Sequence, residues 1–261
     1  MTLAQTAGIG LAAVTAYMTV LWLASLALRN ASIVDIFWGL GFVFITVVYL
    51  IGGDGWGGRQ ALALGLVAVW GLRLSGYILW RNLGKGEDFR YQKMREAVGD
   101  RFWWQSYLQV FLLQSVLLWV ISAPLLAAEH NIEPDHIVLT DALGVLVWAV
   151  GVFFEAVGDW QLARFKADPA NQGRVMQYGL WRYTRHPNYF GDATVWWGYY
   201  LIAAGTTDGW LTAFGPAIMT VLLMRVSGVA LLERSLKRDK PEYADYISRT
   251  SAFIPWFPRR A

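Results

Sequence analysis

The feature that most constrains this chain is the recurrence of long apolar runs. Seven are read, at roughly 6–28, 33–51, 61–81, 106–127, 137–158, 190–204 and 210–231. A run of about 20 apolar residues is what an α-helix needs to cross the hydrocarbon core of a bilayer. In that core every backbone polar group has to be satisfied within its own segment, so such runs span as helices. The pattern predicts an all-α integral membrane protein, a seven-transmembrane helix bundle forming one membrane domain over 1–261. The sixth run is short for a full crossing and follows Pro187, so a tilted or irregular entry is expected there. A soluble domain with an oily core is excluded by charge: Asp, Glu, Lys and Arg make up 16% of the chain, against about 25% in soluble domains. With no cysteine in the sequence, disulfides, thiolate metal sites and cysteine nucleophiles are excluded too.

The loops set an orientation. If the N-terminus is outside, the inside segments are 29–32, 82–102, 159–190 and 232–261. They hold one, five, five and seven Lys/Arg, eighteen of the twenty-two. The outside segments hold only Arg59, while Arg73, Arg81 and Arg225 lie in or at the ends of spans. This asymmetry predicts an outside N-terminus and a cytoplasmic C-terminus. The first residues, MTLAQTAG, lack a basic n-region, so the first span is read as retained. Asn30-Ala31-Ser32 matches a glycosylation sequon but falls on the cytoplasmic side.

Polar residues inside or beside spans are the functional candidates. Asp35 and Trp38 open span two. Asp35 either supports that helix's N-terminus or points into the bundle as a functional acid. Arg73 and Tyr77, four residues apart on span three, share a helical face. Arg73 is a functional candidate, or half of a structural ion pair with Asp35. The loop 82–102 reads mostly as a solvated cytoplasmic face, densest from Glu87 to Tyr91. Gln105, Gln109 and Gln114 read as ties between helices. His130 and His136, in the acidic loop 128–136, are six apart and have no third ligand, so no metal site is expected.

The C-terminal half is denser. Glu155 and Asp159 end span five on one face. Arg164, Lys166, Asn171, Arg174 and Tyr178 follow, in a stretch broken by Pro169 and Gly173. Then Gly179 to Asp192, GLWRYTRHPNYFGD, sets Arg182, Arg185, His186, Asn188, Tyr189 and Asp192 beside a span. Pro187 biases His186 away from the α region and breaks the helix there. Arg225 lies inside span seven and Glu233 about two turns later. The tail, with Arg234, Lys237, Lys240, Tyr243 and Tyr246, reads as a helix to Ser251. Groups this polar at a membrane boundary are costly unless satisfied by one another or by a ligand. Cations suit phosphate or carboxylate, carboxylates suit ribose hydroxyls, and an amide suits a carboxamide. A nucleotide cofactor carries all of these. With no GxGxxG after a strand and no Walker A loop, side chains of a helical bundle would have to hold it. The residues alone lead to a membrane pocket for an anionic cofactor, with a lipophilic co-substrate entering from the bilayer.

The pattern from Asp159 through GLWRYTRHPNYFGD to the Arg225 span and the tail, about residues 150–258, resembles the C-terminal region of the steroid 5α-reductase family. It is most similar to the family's bacterial multi-span members. Related RHPxYxG stretches occur in sterol C14-reductases and in isoprenylcysteine and phospholipid methyltransferases. The resemblance implies NADPH-dependent reduction of a conjugated enone such as a 3-oxo-Δ4 steroid. Hydride goes to the β-carbon while an acid hydrogen-bonds the carbonyl oxygen. It implies cofactor contacts at Glu155, Asp159, Lys166, Asn171, Arg174, Tyr178, Arg185, His186, Asn188, Tyr189, Asp192, Arg225, Glu233 and Tyr246, within residues 137–261. Lys166 stands where the steroid enzymes have an arginine, Glu233 where they have a tyrosine, and Glu155 where they have an asparagine. His186-Pro187 replaces a pair of small residues.

On the substrate side, residues 1–127, the resemblance puts Asp35 in the place of a span-two glutamate. Trp70 falls where the family has a span-three tyrosine and cannot donate a proton in its stead, so either Tyr77 or another group takes the role, or the substrate is held differently. Asp35 and Tyr77 are thus the catalytic candidates, and Asp35, Trp38, Trp70 and Arg73 the substrate contacts. The expected protein is a monomer in a bacterial inner membrane. Its partners are membrane lipid and a lipophilic enone, without metal or nucleic acid. The alternative is an S-adenosylmethionine-dependent membrane methyltransferase of a lipophilic acceptor, in which Glu155, Asp159 and Glu233 would meet ribose and ammonium. The number of cations argues for the ligand with more phosphate. A transporter is the third reading, but the unequal spans show no internal repeat.

Overall fold

Runs this apolar satisfy their backbone by coiling, and the computed structural model contains helices and no strand among its described residues. Those are all residues except 54–56, 132, 135, 227, 230, 231, 234, 235, 237, 239, 241, 260 and 261. Among the described residues six helices are long and apolar enough to cross a membrane. They are α1 (Leu3–Leu28), α2 (Ile33–Gly52), α3 (Gly58–Asn82), a compound helix over Phe89–Ile121, α8 (Leu139–Ala167) and Gly209–Val226. The compound helix joins α4 (Phe89–Val98), α5 (Phe102–Ser106), a π stretch at Tyr107–Leu112 and α6 (Leu113–Ile121). The shorter helices are α7 (Ala123–His130), α9 (Pro187–Ala203), α10 (Phe214–Val221) and α11 (Tyr243–Arg249). At 17 residues, α9 is about 26 Å long, a little under the roughly 30 Å of a hydrocarbon core.

The chain divides into two compact units. Unit 1 is Met1–Val138 with Ala203–Thr212, and unit 2 is Leu139–Ile202 with Ala213–Ala261. Lipid tails are as apolar as leucine, so helices in a bilayer associate through close packing rather than through water exclusion. Both units use glycine for this.

In unit 1, α1 opens with a reciprocal cap in which Thr2 and Gln5 satisfy each other's backbone N–H. Helices α2 and α3 meet at Gly39 and Gly71, where a β-carbon on either would stand 2.6 Å from the other's carbonyl oxygen. Phe42, Ile45, Val67, Trp70, Phe111 and Leu118 fill the core around that crossing. Trp70, expected as a substrate contact, is fully buried against Phe42. The side-chain space it fills is core. Pro124 divides α6 from α7, so the fourth run does not continue unbroken to 127. The expected acidic loop begins later than 128, because Glu129 and His130 are buried in α7. Arg59, counted in the sequence as the one cation of the outside segments, is buried and donates from Nη1 to the Pro134 carbonyl at 3.0 Å.

In unit 2, α8 runs 29 residues, about 44 Å. It continues past the expected end at 158, so Glu155, Asp159, Arg164 and Lys166 share one continuous helix. Gly144 and Gly151 of α8 pack against Gly198 and Gly191 of α9. A β-carbon on Gly191 would lie 2.4 Å from the Glu155 nitrogen, and one on Gly198 would lie 2.8 Å from the Trp148 nitrogen. The tail helix is shorter than expected, since α11 ends at Arg249. Arg234 and Lys237 lie outside the described residues.

Candidate functional site

The α8/α9 seam of unit 2 carries a polar group on each side. Glu155 and Asp159, one turn apart on α8, are both buried. Asn188 and Asp192, one turn apart on the first turns of α9, are half-buried. Asn188 Nδ2 donates to Asp159 Oδ1 at 3.1 Å, and its Oδ1 accepts from the Tyr189 N–H at 3.1 Å. Glycine brings these groups together: Gly191 admits the Glu155 backbone, and a β-carbon on Gly158 would sit 3.2 Å from the Asn188 nitrogen.

The next layer ties the motif to the tail. Trp181 Nε1 donates to the Gly158 carbonyl at 3.1 Å, and the Tyr246 hydroxyl donates to the Trp181 carbonyl. The Arg185 N–H donates to the Ser251 carbonyl at 2.9 Å. Its guanidinium donates from Nε to Glu233 Oε1 at 2.8 Å and from Nη1 to the carbonyls of Thr250 (2.5 Å) and Ile247 (3.3 Å). His186 Nε2 lies 3.3 Å from the same Glu233 oxygen, and its ring stacks on Tyr189 at 5.6 Å. The Arg185 and Glu233 side chains are only 8% and 12% exposed. Burial pushes the Glu233 carboxyl up, but hydrogen bonds and charge from His186 and Arg185 outweigh it and pull the carboxyl down to about 2. Arg185, His186, Glu233 and Tyr246, all expected to meet a cofactor, thus form an internal clamp on the tail. Each has a protein partner because the broken RHP turn has backbone and charge to satisfy.

Other expected cofactor contacts divide by exposure. Arg174 and Arg225 are exposed and make no ion pair among the described residues. Arg225 sits in a π stretch, Leu222–Val226, a local distortion common at functional sites. Lys166 and Tyr178 are exposed, with the Tyr178 ring edge-on to Phe165. Asn171 caps the end of α8 by donating to the Phe165 carbonyl at 3.1 Å. A cleft of about 350 Å³ opens on the tail side, between Arg185, Arg249 and Arg259. Asp159 and Asn188 are not among the residues that line it.

Unit 1 has its own centre, at the start of α2. Asp35 lies in the first turn, three residues after the cap position Ser32. Its Oδ2 accepts from Arg90 Nη2 at 2.5 Å and its Oδ1 from the Tyr91 hydroxyl at 2.9 Å. Arg90 Nε donates to Asp88 Oδ1 at 2.9 Å, and Asp88 caps α4 by accepting from the Arg90 N–H at 3.0 Å. Burial raises the Asp88 carboxyl, but the Arg90 hydrogen bonds and charge leave it below the usual carboxylate range. Glu87 fastens the same loop, accepting from the Ala31 N–H at 2.7 Å and from Arg95 at 2.9 Å. The loop 82–102, expected as a solvated face, instead folds back through α4 onto the 30–35 link. Asp35, read either as support for the helix N-terminus or as a functional acid, accepts hydrogen bonds on both oxygens. The tyrosine held against it is Tyr91, while the Tyr77 ring lies tilted against Trp80 at 5.9 Å. Trp38 packs edge-on to Phe42. Arg73 and Tyr77 are half-buried on α3.

Arg90 and Tyr91, read in the sequence only as part of a solvated face, are the residues that meet Asp35. The signal was local: Glu87-Asp88 ahead of Phe89 marks a helix start. That makes 87–95 an ordered element rather than a free loop. The glycine seam had a signal too, in the seven-residue spacing of Gly144, Gly151 and Gly158 and of Gly191 and Gly198.

No solved structure matches the chain. An uncharacterised protein of Schizosaccharomyces pombe is 23% identical over 261 residues, covering 90% of this chain and 76% of that protein. The model of a family described as proteins of unknown function, DUF1295, matches residues 21–250, a stretch that takes in both polar centres. The chain belongs to that family, within the steroid 5α-reductase-like superfamily.

Proposed function

We propose that the protein is an NADPH-dependent reductase of the C=C bond of a conjugated enone in a lipophilic, steroid-like substrate. In this reading α9 is a seventh crossing, the N-terminus is outside, and the C-terminus and the tail clamp are cytoplasmic. The observation that carries it is the Asn188–Asp159 pair at the α8/α9 seam, in a unit that also presents Arg174 and Arg225 outside any ion pair among the described residues. NADPH fits this donor set. Arg174 and Arg225 suit its phosphates. The Asp159 and Asp192 carboxylates suit ribose hydroxyls, and the Asn188 amide suits the carboxamide. When bound, NADPH would supply the hydride for the enone's β-carbon, and a proton from water at the α-carbon would complete the reduction.

The chain's own residues supply position. Asp159 fixes the Asn188 amide, since its carboxylate accepts from Nδ2 and so decides which way the amide points. The Arg185–Glu233–His186 clamp holds the RHP turn that sets Asn188 at the start of α9.

One observation favours a second reading, the S-adenosylmethionine-dependent methyltransferase. Glu155, Asp159 and Asp192 put three carboxylates on the facing turns of α8 and α9, a set that suits ribose and an ammonium group. Glu233, engaged with Arg185 and His186, no longer counts toward it.

The test is a binding titration of detergent-purified protein that follows NADPH fluorescence, with NADH and S-adenosylmethionine as competitors. Saturable NADPH binding is expected. Arg174→Ala or Arg225→Ala should each weaken it by about 1.5–3 kcal/mol, the loss of a charged hydrogen bond. Binding unchanged in both variants sinks the phosphate assignment. S-adenosylmethionine binding without NADPH binding moves the conclusion to the methyltransferase.

A further inference from the structure

Reduction of an enone needs a donor at the carbonyl oxygen, where negative charge develops as hydride arrives. The groups around Asp35 differ in what they have left to give. Asp35 accepts from Arg90 and Tyr91 on its two oxygens and so offers no O–H. The Tyr91 hydroxyl has donated its one hydrogen to Asp35, and the residue is buried. Arg90 is different. Its Nε donates to Asp88 and its Nη2 to Asp35, and Nη1 makes no hydrogen bond among the described residues. Its side chain is 37% exposed, so the guanidinium is not sealed inside the unit. Two carboxylates from separate segments hold the guanidinium still, and a pre-positioned cation loses little in reorganising when charge develops.

We infer that Arg90 is the group that polarises the substrate's carbonyl oxygen, and that Asp35 and Asp88 are positioning residues that hold its guanidinium in place. This rests on the reductase reading for the reaction, but its test reads substrate binding in unit 1 and stands apart from the cofactor. The ligand class is a lipophilic molecule ending in a ketone. An acceptor oxygen is favoured over a hydroxyl or amine because the available edge consists of N–H donors. The alternative is a purely structural Arg90 that fastens α4.

The experiment uses the full chain in detergent and follows tryptophan fluorescence. The probes are a 3-oxo-Δ4 steroid and the same skeleton without the 3-oxygen. The wild type is expected to bind the ketone at least about 10-fold more tightly than the deoxy compound, as a charged hydrogen bond predicts. Arg90→Gln should remove that preference while still binding the deoxy compound, which shows the variant is folded. Arg90→Lys should restore part of it. Asp88→Asn should reduce the preference less than Arg90→Gln, because the guanidinium remains but is less well held.

A wild type without ketone preference, or an Arg90→Gln variant that keeps it, overturns the inference. So does loss of the preference in Tyr91→Phe but not in Arg90→Gln. An NADPH titration on the same samples separates the two failures. Absent NADPH binding with an intact, Arg90-dependent ketone preference sinks the reductase reading and leaves Arg90 as the group that binds the ketone oxygen.

Discussion

In unit 1, Asp35 lies four residues before Gly39, where α2 meets α3. In unit 2, Glu155 lies four residues after Gly151, where α8 meets α9. Each unit sets an acid one turn from a glycine crossing, the place where two backbones come close enough to present polar side chains together. From there the two diverge. The unit 1 centre takes its cation from a neighbouring loop helix, and Arg90 keeps an exposed edge. The cation of the RHP turn in unit 2, Arg185, is buried, and two of its nitrogens are held by Glu233 and tail carbonyls. An arginine beside a membrane helix can thus be left partly exposed or be used up as a fastener for the chain. What separates them is how many protein acceptors surround it.

Breaking the fastener should have the largest effect. Arg185→Leu leaves Glu233 buried beside His186 without its guanidinium, which should cost about 3–5 kcal/mol. Arg90→Leu in unit 1 breaks a partly exposed pair and should cost about 1 kcal/mol or less. Thermal unfolding of both variants in the same detergent checks the contrast. Equal losses would mean that the two arginines do the same job.

The glycine crossings come next. Gly191→Ala puts a β-carbon 2.4 Å from the Glu155 nitrogen and 2.5 Å from the Gly151 carbonyl oxygen. Backbone atoms cannot turn aside as a long side chain can, so about 1–3 kcal/mol of overpacking is expected. Because Asn188 and Asp192 ride on the same helix, NADPH affinity should fall with it. Full stability with unchanged NADPH binding would show that the seam does not set the site.

The clamp also has a pH signature. The carboxyl of Glu233 is held down to about 2 in the folded chain, against an ordinary value near 4.3. Its stabilisation is therefore fully present above the ordinary value and is lost as pH falls toward 2. The melting-temperature gap between wild type and Glu233→Gln should be constant from pH 7 to about 5 and close below that. A gap that persists at pH 2 would remove the ion pair as the cause.

The fold was legible because run length alone forces spanning helices. Helix ends were not. Glu155 to Lys166 looked like a boundary since charge usually marks one, yet α8 carries those charges on beyond the apolar run. The Asp35–Arg90 pair joins residues 55 apart, and no periodicity within either segment encodes it. The density of RHPNY was read correctly as polar groups needing satisfaction. Sequence did not reveal that Arg185, His186 and Glu233 satisfy one another, because Glu233 arrives 47 residues after His186 and only the folded tail brings it back.

The smallest prediction isolates the crossing itself, because both of its sites lie on α3. A β-carbon at Gly65 would meet nothing within 4 Å, while one at Gly71 would meet the Gly39 carbonyl oxygen at 2.6 Å. Gly65→Ala removes only glycine's backbone freedom and should stabilise by about 0.5–1 kcal/mol. Gly71→Ala gains the same term but has to push α2 away, so its net effect should be destabilising. Opposite signs from one substitution on one helix can come only from what each position faces. If both variants gain stability, α2 and α3 do not approach through Gly39 and Gly71, and Asp35 has lost the scaffold that sets it against Arg90.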